Sequence, residues 1–309
     1  MSLFQIEFNE RELITLRIIF NSNSGLNRVI ASAISLNEIK SLNQESIKNL
    51  RFRHSEDIMN KLQNYHSYES QAIDVLEWCE NNNISVVSIF NENYPNRLRK
   101  IHNPPCLLFC AGDKNLLNIK KSVAIVGSRD VGDIGINVTE KTTSFFAKNN
   151  VNIVSGLAKG VDTQAHKTAI ANDAPTTAIL VDIKTISPAN NINLAKKIIN
   201  SGGLIVSENL PGTQASESYL FIDRNRIQTG LSKFVIIIEA SPKSGTRYTA
   251  EHAYRQKKPI YCSDLSLIKD YPKALFETSL NKQLYQDGKA KLFSASSYED
   301  MLKVLENDS

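Results

Sequence analysis

Long hydrophobic runs are missing from this chain. No apolar stretch approaches the roughly 20 residues that cross a bilayer, and the opening Met1-Ser2-Leu3-Phe4-Gln5-Ile6-Glu7 lacks a basic segment followed by an apolar one. A soluble, cytoplasmic protein with no membrane partner is therefore expected. A charge excess of one sign is also missing: 36 basic residues face 32 acidic ones, a net +4. That is too little to point to nucleic acid by itself, so any basic site has to be local. Cysteine is scarce, and Cys79, Cys106, Cys110 and Cys262 form no C-x2-C pairs, which argues against a zinc knuckle. Cys106 and Cys110 flank Leu107-Leu108-Phe109, a run that reads as a buried strand, so reduced core thiols are expected and no metal. There is no Gly-x-Ser-x-Gly elbow and no His-Glu-x-x-His pair to support hydrolysis by serine or zinc. With 41% hydrophobic and 22% charged residues the composition is that of an ordinary globular protein, not a fibrous or disordered one.

What is present divides the chain in two. From Glu10 to about Trp78 the apolar residues fall at helical spacing, as in Leu13, Leu16, Ile19 and Phe20, with small polar breaks such as Asn21-Ser22-Asn23-Ser24-Gly25. This predicts a helical N-terminal domain over residues 1–82. Beyond residue 83 come short β-branched runs: Ile84 to Phe90, Cys106 to Cys110, Val123 to Val126, Val151 to Val154, Thr176 to Val181, Leu204 to Val206 and Phe234 to Glu239. Helix-length segments separate several of them, which argues for βαβ units and a mostly parallel sheet over 83–309, an α/β fold. The run Phe234-Val235-Ile236-Ile237-Ile238 is apolar without alternation, as a central parallel strand is. Glu239 then falls where such sheets meet ligands. A short helix is expected from Tyr298 to Leu305.

Three glycine loops stand out. Val126-Gly127-Ser128-Arg129-Asp130-Val131-Gly132 runs from a strand into a helix, an arrangement able to bring backbone and Arg129 to an anion. It also reads as a plain tight turn, and it is neither a Walker loop nor G-x-G-x-x-G, so ATP and NAD are not implied. Ser155-Gly156-Leu157-Ala158-Lys159-Gly160-Val161-Asp162 leads into a helix with His166; Asp162 suits an N-cap and His166 a hydrogen-bonded structural role. Glu239-Ala240-Ser241-Pro242-Lys243-Ser244-Gly245-Thr246 follows the apolar strand. In a parallel sheet all three loops belong to the carboxyl edge. Nearby, Phe221-Ile222-Asp223-Arg224-Asn225-Arg226 sets one ring beside two arginines.

At these residues the sequence resembles the bacterial DNA-processing protein A family, also called DprA or Smf. The resemblance is carried by Tyr94-Pro95, Pro104-Pro105, Gly127-Ser128-Arg129, Ser155 to Asp162 with His166, Arg224-Asn225-Arg226, and Ser244-Gly245 with Thr249-Ala250. It implies an extended Rossmann-like domain behind a sterile-alpha-motif-like helical domain. It further implies a single-stranded DNA-binding mediator of DNA recombination in natural transformation, a homodimer that loads RecA, with no cofactor and no catalytic residues. Carried over by position, the nucleic-acid-binding residues are Gly127, Ser128, Arg129, Lys159, Phe221, Arg224, Arg226, Lys243, Ser244 and Gly245. The chain departs from the family pattern where Ile222 replaces a proline and Arg247-Tyr248 replace apolar residues. Two enzyme readings compete. Pro242-Lys243-Ser244-Gly245-Thr246 with Glu251 echoes the lonely-guy phosphoribohydrolases, nucleotide-handling hydrolases, and Asp162 with Asp182-Ile183-Lys184 echoes a D…D-x-K metal nuclease. For Phe221 two roles stay open, a core ring beneath the third strand or a stacking platform for a base.

Overall fold

The computed structural model describes residues 7–52, 54–213 and 218–306, so of the opening Met1 to Glu7 segment only Glu7 is described. Six helices come first: α1 (Glu10–Phe20), α2 (Asn23–Ala31), α3 (Leu36–Lys40), α4 (Gln44–Asn49), α5 (Ser55–Gln63) and α6 (Tyr65–Asn81). The first begins at a capping box, in which Asn9 accepts from the Glu12 amide while the Glu12 carboxylate accepts from that of Asn9. Its apolar residues Leu13, Leu16, Ile19 and Phe20 are buried together.

Strands and helices then alternate: β1 (Ile84–Ser88), α7 (Asn96–Arg99), β2 (Leu107–Gly112), β3 (Ser122–Val126), α8 (Asp133–Lys148), β4 (Asn152–Ser155), α9 (Val161–Ala171), β5 (Thr176–Leu180), α10 (Ile192–Asn200) and β6 (Leu204–Ser207). The rest of the chain adds α11 (Ser218–Leu231), β7 (Phe234–Ile237), α12 (Thr246–Arg255), β8 (Ile260–Ser263), α13 (Lys273–Glu277), α14 (Leu280–Gln286), β9 (Lys291–Phe293) and α15 (Tyr298–Glu306). The nine strands among the described residues form one sheet in the order β1-β2-β6-β5-β4-β3-β7-β8-β9. Pairing is antiparallel only from β1 to β2 and from β2 to β6; every other neighbour is parallel. The mostly parallel α/β expectation is thus met. β8 and β9 are additions to it: one is four residues long, the other only the three residues Lys291-Leu292-Phe293.

β3 to β7 are buried at every position, as strands covered on both faces must be. One cluster of buried apolar side chains runs from Leu13 and Ile19 in α1 to Val87 in β1, Phe109 in β2 and Val206 in β6. The N-terminal helices therefore share a core with the antiparallel end of the sheet. All four cysteines are free and buried. No helix among the described residues is long and apolar enough to cross a membrane.

Candidate nucleic-acid interface

The chain winds outward from β3 through β4, β5 and β6 in one direction, and returns to place β7, β8 and β9 on the other side. The carboxyl ends of β3 and β7 therefore flank the point where the winding reverses, and a crevice opens there because the two connections leave in opposite directions. The first glycine loop follows β3, the second follows the adjacent β4, and the third follows β7.

Hydrogen bonds lock the three loops to one another. Ser128 donates its amide to the Glu239 carbonyl at 2.7 Å, and Val161 donates to the Ser128 carbonyl at 3.2 Å. Thr246 Oγ1 donates to the Gly127 carbonyl at 3.0 Å. Gly160 has φ +72, and a Cβ there would lie 2.3 Å from the Ser128 carbonyl oxygen, so only glycine lets the first two loops approach this closely. Asp162 is not the N-cap that the sequence suggests. Gly160 holds that position, and Asp162, inside the first turn, accepts the Gly156 and Ala158 amides at 3.0 and 3.3 Å. Burial raises its pKa against the opposing pull of Arg224.

His166 has the structural role expected of it: it is fully buried, with Nδ1 2.8 Å from Thr176 Oγ1. Burial, and then the charge of Arg224, push its pKa down to about 3. The neutral ring is thus the native form, and the unfolded chain takes up a proton that the folded one refuses below the ordinary pKa of about 6.5. This contribution to stability is complete above that value and is lost as pH falls toward 3, at up to about 1.4 kcal/mol per pH unit. Urea titrations between pH 6 and 5 should show this slope in the wild type and a shallower one in His166→Gln. Equal slopes would remove His166 as its source.

A cavity of about 690 Å³ occupies the crevice, lined by Gly127, Ser128, Arg129, Phe221, Arg224, Ser244 and Gly245 among others. An adjoining pocket of about 310 Å³ shares Arg129, Phe221 and Arg224 and reaches Lys159. Phe221 is half-buried and belongs to no apolar core cluster. Its ring forms cavity wall, with the exposed Arg129 guanidinium carbon 5.9 Å from the centroid.

The cations named from the sequence separate in the structure. Arg129 and Lys159 are exposed on the cavity rim. Arg224 is only 5% exposed. It donates through Nη1 to the carbonyls of Gly156 and Ile179, and through Nε to Asn225 Oδ1. Burial, opposed by Asp162, brings its pKa down to about 10. It therefore braces the cavity floor. Arg226 lines neither pocket; it is 3% exposed, and its two terminal nitrogens meet the two carboxylate oxygens of Glu208 at 2.6 Å each. Lys243 is exposed on the third loop and also lines neither. Glu239 sits at the end of β7 but turns its carboxylate toward Gly135, where a Cβ would come within 2.3 Å of Oε2. Burial raises its pKa.

Gln228 and Tyr248 line the cavity without being among the site residues read from the sequence. Gln228 is 1% exposed; Nε2 donates to Asn225 Oδ1 at 3.3 Å and Oε1 is buried without a partner. Phe221, Arg224, Asn225 and Gln228 fall at helical i, i+3, i+4, i+7 spacing, so the face itself was the available signal. Tyr248 is the second, with the Arg247 guanidinium carbon 4.5 Å from its ring centroid. The pair occupies the positions where the family pattern is apolar.

Residues 85–306 match the family described as DNA recombination-mediator protein A. The chain belongs to this family. Protein Smf of Borreliella burgdorferi is 36% identical over 189 residues, covering 60% of this chain and 59% of that protein. DNA processing protein DprA of Streptococcus pneumoniae is 37% identical over 182 residues, covering 59% and 63%. The chain thus spans about three fifths of the length of these curated relatives. Among solved structures, DprA of S. pneumoniae superimposes with a TM-score of 0.77 at 28% identity, over 94% of this chain and 97% of that one. The Helicobacter pylori DNA processing protein A, solved to describe its single-stranded DNA binding mode, gives 0.60 at 30% identity, over 71% and 96%. These likenesses establish the extended Rossmann-like sheet of the recombination-mediator family. The S. pneumoniae likeness also extends into the N-terminal helices, which the family match does not reach.

Proposed function

We propose that this recombination-mediator chain binds single-stranded DNA in the carboxyl-edge cavity, protecting strands and passing them to RecA in natural transformation. The observation that carries the reading is the Phe221 ring in the cavity wall beside the exposed guanidinium of Arg129, at the switch point of the sheet. A base stacks on the ring while Arg129 and Lys159 meet flanking phosphates, the combination a single strand calls for. The H. pylori relative, described for single-stranded DNA binding, supports the choice of ligand.

The same geometry weighs against the enzyme readings. The amides of Ser128 and Asp130 in the first loop, and of Val161 after the second, already have partners, which leaves fewer N–H groups for a nucleotide-phosphate cradle. Glu251 is exposed on α12 and lines neither pocket of the crevice. Asp182 accepts the amides of Lys184, Thr185 and Gly212 at 2.9, 3.2 and 3.0 Å, a turn-holding role. No cofactor and no catalytic step belong to this reading. Homodimerisation does, on family grounds, and light scattering at micromolar concentration decides it.

Titration of labelled single-stranded and duplex oligonucleotides with magnesium or manganese present tests the core of the reading. Preference for the single strand without cleavage is expected, and Arg129→Ala should lower the log-log salt slope by about 0.7. Unchanged affinity and slope in Arg129→Ala, or cleavage that disappears in Asp182→Asn, would overturn it.

A further inference from the structure

The amino edge of the same sheet carries a cavity of about 1330 Å³. Its lining includes Lys233 just before β7 and Lys258-Pro259 just before β8, the ends of these strands opposite to the glycine loops. We propose that this groove is a second nucleic-acid site, one that takes the phosphodiester backbone of a strand without stacking its bases.

The charge of the groove is the first argument. Lys100 comes from the segment after α7, and Arg255, Lys257 and Lys258 from the end of α12; none of the four makes an ion pair among the described residues. Among the described residues the only acidic one lining the groove is Asp223, and its carboxylate lies 3.6 Å from Arg226. Cations after a helix C-terminus are favoured by the helix dipole, which accounts for those on α12. Lys100 caps the C-terminus of the short α7, but neither dipole accounts for two helix ends bringing their cations to face each other. The crowding is unfavourable in the empty groove: burial, and then Arg97, Lys233 and Lys100, pull the Lys258 pKa down to about 8. A polyanion entering the groove relieves that repulsion.

The shape and lining select the ligand. The cavity is far larger than one phosphate group, and its cations are spread over several segments of chain, which suits a series of charges. Among the described residues no Phe, Tyr or Trp lines it, in contrast to the carboxyl-edge cavity with Phe221 and Tyr248. Backbone contact without base contact follows from that difference. Helix α11 walls both cavities, with Phe221 and Arg224 on one side and Asp223 and Arg226 on the other. A long strand held at the carboxyl edge can thus continue around α11 to the amino edge. The inference goes beyond the carboxyl-edge reading and rests on it, because the short strand is taken to bind at the carboxyl edge.

The test uses the full chain carrying Lys100→Gln, Lys257→Asn and Lys258→Gln together. Asparagine is chosen because Lys257 has φ +55, a conformation asparagine tolerates. Thermal melts establish that the variant is folded, and Lys100→Gln alone, which leaves α12 untouched, is the fallback. Two single strands are titrated, one of about 6 nucleotides and one of about 30, shorter and longer than a single binding module covers. The short strand should bind as in the wild type. The long strand should lose on the order of tenfold in affinity at low salt, with its salt slope lower by up to about 2, or about 0.7 for the single variant. Unchanged long-strand affinity and slope would overturn the proposal, as would equal loss for both strands. Polyglutamate that displaces the long strand from the wild type as well as DNA of the same charge does would also overturn it, in favour of an acidic polypeptide. Phe221→Ala is run in parallel: a normal short-strand affinity there sinks the carboxyl-edge reading alone.

Discussion

Replacing Arg226 with alanine should cost about 3 to 5 kcal/mol of folding stability, because it strands a buried carboxylate. Glu208 is 4% exposed, and both of its oxygens are held by Arg226 at 2.6 Å. The same guanidinium donates through Nε to the Asn103 carbonyl at 2.9 Å, tying α11 to the segment before β2. Removing the arginine leaves an uncompensated charge and an unpaired carbonyl, whereas removing both charges together spares the first of these. Arg226→Met combined with Glu208→Leu should therefore recover much of the loss. Urea denaturation of the single and double variants measures both effects. A single-variant loss under about 1 kcal/mol would mean that the pair is not structural. Strand binding supplies an independent readout: folded Arg226→Ala should keep the wild-type salt slope with a short strand, since the residue lines neither pocket of the crevice. A slope lower by about 0.7 would make it a phosphate contact after all.

For Phe221→Ala the expected order is reversed, a small loss of stability and a large loss of binding. The ring is half-buried in the cavity wall and joins no core cluster, so the 3 to 5 kcal/mol typical of a core phenylalanine truncation should not appear. Single-stranded DNA should bind more weakly by about 1 to 3 kcal/mol, the worth of one base stacked on an aromatic ring. The salt slope should hold, because no phosphate contact is lost. Combining Phe221→Ala with Arg129→Ala adds a further check, since the Arg129 guanidinium lies over this ring and the two effects should fall short of additivity. An unstable Phe221→Ala with normal affinity would return the ring to the core.

What the sequence by itself determined is what short-range pattern encodes. Unalternating runs such as Phe234 to Ile237 have to be strands covered on both faces, and glycine loops between such runs and helices have to lie at one edge of a parallel sheet. That was enough to place the crevice at the glycine loops, and the family resemblance then picked out Gly127, Ser128, Arg129, Phe221, Ser244 and Gly245, which line it. β9 was not legible because three residues, one of them an exposed lysine, carry too little pattern; its pairing with β8 makes it a strand. The two arginines of α11 show where tertiary structure took over. Side chains two apart on a helix point about 200° from each other, so Arg224 and Arg226 cannot both face one cleft. Which of them meets the crevice, and that each is consumed by buried partners, depends on Gly156, Ile179 and Glu208, far away in sequence. The basic groove at the amino edge is likewise assembled from residues spread from Lys100 to Lys258, in a chain whose net charge is only +4. Local pattern sets which elements form, whereas the neighbours of a long charged side chain are set by the packing of distant elements, and only the folded chain brings these together.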